Sequence, residues 1–136
     1  MKMLYINTVD LKTHHQAFRN PAFRYSVSGR WVSPRSNILQ YLQFYFIYIP
    51  IQQISTVFGS LDQPSGLYGG RTYNPARSLN DKQLSTLYQH NIHLALTLTN
   101  HFFSKELYDE NLPFLQKHAR RGNVVICTSD EFARML

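Results

Sequence analysis

Hydrophobic and polar positions fall into two regimes that meet near Pro50. Beyond it the pattern is regular. Ile51 to Phe58 is β-branched and stops at Gly59 and Ser60, which predicts a strand. The following LDQPSGLYGGRTYNPAR is dense in turn residues and predicts a long loop, of a length uncommon without a function. Asn80 and Gln83 fit a capping box, and Leu84, Leu87 and Tyr88 then share one helical face up to His90 and Asn91. From His93 to Thr99, Leu94, Leu96 and Leu98 alternate with Ala95, Thr97 and Thr99, the period of a strand with two unlike faces. Ser104 caps a first helical turn, and Pro113 marks the start of a second segment that Gly122 stops. Val124 to Thr128 is a short apolar strand, and Ser129 caps a last helix with Asp130 and Glu131 at its positive end.

Before Pro50 the periodicity is weak. Pro21, Gly29 and Pro34 punctuate basic and aromatic residues, until Ser36 or Asn37 can cap a helix through Ile38, Leu39, Leu42 and Phe46. Beyond Tyr45 the aromatic and β-branched residues favour an extended ending. The chain therefore divides into a basic aromatic segment, 1–50, of irregular and helical character, and a unit, 51–136, of three strands each followed by a helix. Connections too long for hairpins make the strands parallel, with their ends gathered at one rim, so the fold class is α/β, either a partial (βα) barrel or a compact small α/β domain.

At 136 residues, with 43% apolar and 16% charged residues, the chain can bury a core and is neither disordered nor a coiled coil. The net charge of +6 draws attention to anionic partners, and it sits unevenly. Residues 1–50 carry Lys2, Lys12, Arg19, Arg24, Arg30 and Arg35 against Asp10 alone. Rings and arginines interleave from Phe18 to Trp31, a composition that suits single-stranded nucleic acid, a protein partner or the covering of a core, and no nucleic-acid motif accompanies it. The single cysteine, Cys127, excludes an internal disulfide and reads as a packed thiol. The stretch Ile38 to Ile51 is too short for a membrane span and is broken by Gln40, Gln43 and Pro50, and Met1 to Asp10 lacks a secretory signal, so no membrane is expected and the cytoplasm is the expected location.

The segments FGSL, GLYGGR, LNDKQL, LALTLTNHF and RRGNVVICTSDEFARML resemble the N-terminal half of uncharacterised bacterial barrel proteins distantly akin to the collagenase-like peptidase barrels. The resemblance covers about residues 51–136 and implies strand ends marked by Gly59 and Ser60, by Thr99 and Asn100, and by Ser129 and Asp130, with Gly69, Gly70 and Arg71 in the first loop. It implies a TIM-barrel-like protein that processes a small polar or anionic molecule such as a sugar or peptide derivative. The alternative is a non-catalytic basic protein that contacts RNA or another anionic partner.

Five side chains are candidates for that site. Arg71 can hold an anion, and Asn100 and Ser129 can bind substrate. His101 and Asp130 are the catalytic candidates, an imidazole that moves a proton near neutral pH and a carboxylate at the rim. Each has a plainer reading as a turn residue, a loop residue or a helix cap. The histidine spacing offers no metal pattern, and neither a metal nor another cofactor is expected. Phe132, Ala133, Met135 and Leu136 carry apolar side chains to the end of a helix without a polar cap. The expectation is either the front part of a larger barrel, marginally stable and prone to dimerise through an exposed sheet edge, or a compact small α/β domain.

Overall fold

The computed structural model describes residues 22–69 and 78–136. Its centre is a four-stranded parallel sheet: β1 (Tyr25–Ser28), β2 (Ile54–Gly59), β3 (His93–Leu98) and β4 (Val124–Cys127), lying side by side in chain order. Four helices accompany them, α1 (Ile38–Tyr45), α2 (Asp81–Gln89), α3 (Lys105–His118) and α4 (Asp130–Met135). The α/β class and the parallel strand-helix alternation stand as the pattern predicts. Among the described residues no helix is long and apolar enough to cross a membrane.

Strand β1 is not predicted by the pattern. Tyr-Ser-Val-Ser has only Val27 fully buried, and its pairing partner is distant in sequence: Val27 lies opposite Val57 and Ser28 opposite Phe58, with a register shift between Tyr25 and Ser26. Residues 51–53 form a single 3-10 turn behind Pro50 and the strand starts at Ile54, so the predicted extended ending of α1 is replaced by turns. Helix α3 runs through Pro113 without a break. Proline removes one intrahelical bond, but Phe114, Leu115 and His118 are buried behind it and hold the segment against the sheet.

The caps are local and specific. Asn37 accepts from the amides of Leu39 and Gln40, and Ser104 and Ser129 accept from Leu107 and Phe132. At α2 the capping box is complete, with Asn80 and Gln83 each bonded to the other's backbone amide. The same helix ends on Asn91 in the left-handed region at φ 55°, with the Ile92 amide bonded to the Leu87 carbonyl and Asn91 to Tyr88. Leu87 and Ile92, both fully buried, close this Schellman end.

The core lies on one face of the sheet. Val27, Val57, Leu94, Leu96 and Leu98 pack with Ile38, Leu42, Leu84, Leu87, Phe114 and Phe132 from the four helices, and Val125 and Cys127 join them. The pairing register puts Ser28, Phe58 and Ala95 in one row across the sheet, followed by Val124 on β4, and places Thr97 beside Ile126. On that second face Ala95 and Thr97 of β3 are buried outside the main cluster, whereas on β4 the side chains stand open, Val124 at 49% and Ile126 at 42% exposure. A parallel sheet is ordinarily covered on both faces.

Candidate functional site

Strand ends at one rim are built from neighbouring loops. After β2 the chain makes a single 3-10 turn at Gly66–Tyr68 and lies across the end of β3: Leu67 and Tyr68 carbonyls accept from the Asn100 amide and the Thr99 hydroxyl. The Asn100 side chain donates to the Gly66 carbonyl at 2.8 Å and accepts from the Phe102 amide at 2.9 Å. Gly69, at φ 71°, lies so close that an added Cβ would meet the Asn100 Cα at 2.8 Å, so glycine is required both for the turn and for the approach. The far stem of the loop returns beside Leu61, with Leu79 bonded to Ser60 and Asp62 through the backbone.

The structure thus brings the Gly66–Gly69 turn and Asn100 together. Asn100 is consumed in holding that turn, and Arg71 lies outside the described residues. Ser129 caps α4, and Asp130 stands exposed in the first turn of that helix. His101 is exposed on the bend after Asn100. Among the described residues no hydrogen bond joins His101 or Asp130 to Asn100 or Ser129, so these four do not form one constellation within the chain. Cys127 is half buried against the core, its thiol 3.9 Å from the Ser129 carbonyl. Among the described residues no group of three or more His, Cys, Asp or Glu side chains is placed to hold a metal ion.

Concavity lies elsewhere, along α2. One hollow of about 440 Å³ is lined by Asp81, Ser85 and Tyr88 of α2 and by Lys117, His118 and Arg120 at the end of α3. A second, of about 420 Å³, is lined by Leu61, Asp62, Asn80 and Lys82 and shares Asp81, Lys117 and His118 with the first. Between them Lys117 donates to both carboxylate oxygens of Asp81 at 3.1 Å, and at the far end the Arg120 guanidinium sits 4.3 Å over the Tyr88 ring. Under the ion pair His118 is 8% exposed, its ring edge-on to Phe114 at 5.1 Å and its Nε2 buried without a hydrogen-bond partner. Burial, reinforced by the neighbouring Lys117 charge and opposed by Asp81, lowers the His118 pKa below its ordinary value.

Sequence reasoning missed this groove. Asp81 and Lys117 are 36 residues apart and neither belongs to a motif; the only sequence signal is the stripe of Asp81, Ser85, Tyr88 and Gln89 on one side of α2. No family model, curated protein or solved structure matches the chain.

Proposed function

We propose that the chain is a barrel-type strand-helix unit that takes a small polar or anionic molecule, such as a sugar or peptide derivative, at the rim formed by its strand ends. The observation that carries this reading is the sheet itself: four parallel strands in chain order, with the helices packed in one core cluster on one face and, on the other, the β4 side chains Val124 and Ile126 exposed. A doubly wound sheet reverses its strand order and covers both faces, whereas a (βα) barrel keeps the order and turns one face inward. Eight strands close such a barrel with an interior that side chains can fill. A second copy related by a twofold axis would set β4 of each chain beside β1 of the other, making both seams identical and covering Val124 and Ile126. The rim would then carry His101 and Asp130 from both copies.

In this reading Arg71 holds an anionic group, His101 moves a proton and Asp130 orients the molecule, while Asn100 and Ser129 fix the loop and helix that carry them. The test is a thermal-shift screen of sugar phosphates, sugars and acylated amino acids against the wild type and against Arg71→Ala, His101→Ala and Asp130→Asn. A ligand that raises the melting temperature of the wild type is expected to lose its effect in the variants. The unliganded protein should change little, since an exposed carboxylate at a helix start contributes about 0.3–1 kcal/mol. Undiminished ligand shifts in all three variants would overturn the rim assignment.

One observation favours a second reading, contact with a nucleic acid: Arg30 stacks on the half-exposed Trp31 ring, 5.5 Å from its centre. Single-strand affinity that falls steeply with salt and is lost in Trp31→Ala would favour it over the rim.

A further inference from the structure

We propose that the groove between α2 and the end of α3 is a binding site for a small oxyanion, a phosphate or carboxylate group, seated between the first turn of α2, Lys117 and His118. It uses none of the rim residues and stands independently of the reading above. Three observations converge on it. The first-turn amides of Asp81 and Lys82 receive no partner from their own helix, and the positive end of the helix dipole faces the second hollow, where Asn80, Asp81 and Lys82 are among the lining residues. Lys117 reaches into the same space from the opposite wall. Beneath them His118, nine-tenths buried, holds an Nε2 that has no partner.

A buried ring nitrogen without a partner is costly in a folded protein, and a structural histidine ordinarily finds a carbonyl or hydroxyl. At this position the ring meets Phe114 edge-on and the side chain lines both hollows. An orphan ring nitrogen of a residue that lines a cavity of about 420 Å³ marks a space for a polar ligand. Along the two hollows Lys82, Lys117 and Arg120 stand against Asp62 and Asp81, and once Asp81 is displaced the cations outnumber the remaining carboxylate, which sets the sign of the ligand.

Asp81 is the built-in competitor. Its carboxylate engages Lys117 through both oxygens, yet it is three-quarters exposed and the pair is a surface contact that binding can exchange at small cost. An incoming oxyanion would take Lys117 and send Asp81 to solvent, so the ion pair is the state of the empty groove.

Inorganic phosphate is the probe, titrated into the full chain and followed by the amide resonances of Asp81 and Lys82 and the ring resonances of His118. Saturable shifts at all three are expected. Lys117→Met should weaken binding about tenfold, the loss of one charge-assisted bond. Asp81→Asn should tighten it roughly two- to fivefold, because it removes the competitor. Both positions are solvent-exposed, so both variants should fold. Unchanged affinity in Lys117→Met, weaker binding in Asp81→Asn, or saturation that leaves the His118 ring untouched would overturn the proposal.

Discussion

His118 has a consequence for stability as well as for binding. Its pKa in the folded protein lies below the ordinary 6.5, burial being the largest cause, with Lys117 adding to it and Asp81 opposing. The unfolded chain therefore takes up a proton first as the pH falls, and binds more protons than the native state between 6.5 and the lowered folded value. Stability should be full above that window and decline as the pH drops through it, the sign expected for a histidine kept neutral in the fold. Urea denaturation at about pH 8 and about pH 5.5 measures this, and His118→Phe, which keeps a ring beside Phe114, should flatten the difference. An undiminished acid dependence in that variant would sink the assignment to His118. Nothing in the one-dimensional pattern distinguishes this histidine from His101 or His90. Its role depends on Asp81 and on the sheet beneath it, which meet it only in three dimensions, whereas Ser129 and Asn100 were legible because turn and cap chemistry is decided within a few residues.

Among the elements, those with local signals were read correctly and those held by distant partners were not. The capping box of α2, the alternation of β3 and the caps of α3 and α4 follow from neighbours in sequence. Strand β1 does not: two serines in four residues carry little β signal, and its place depends on β2 about thirty residues later. Pro113 misleads for the opposite reason, since burial of Phe114 and Leu115 overrides a local breaker. The cap of α2 reaches beyond its helix. Asn80 also donates to the Pro34 carbonyl and Gln83 to those of Ser33 and Ser36, so the box fastens the loop that leads into α1. Asn80→Ala should therefore lower stability by about 1–2 kcal/mol, the upper end for a cap, and Asn80→Ser should recover most of it. Equal losses for the two variants in urea denaturation would show that the contact with Pro34, not the cap, carries the effect.

Taken whole, the molecule is asymmetric in a way the alternation of Leu94, Leu96 and Leu98 with Ala95 and Thr97 already hints at. The leucines enter the core, while Ala95 and Thr97 line the other face, where the Thr97 hydroxyl is buried without a partner. Exposed Val124 and Ile126 on an outer strand beside that face favour association. Sedimentation of the chain should show a dimer, and Ile126→Lys, which puts a charge at the seam, should shift it to monomer while leaving the helical core intact. A wild-type monomer at all concentrations, unfolding cooperatively, would exclude pairing through this face. The order β1-β2-β3-β4 has one more consequence. Among the described residues each strand lies beside its predecessor in the chain, so no strand is inserted between two that are consecutive in sequence. Such an architecture can grow by accretion: a further strand and helix could be appended at either flank by duplication, without disturbing a single existing pairing.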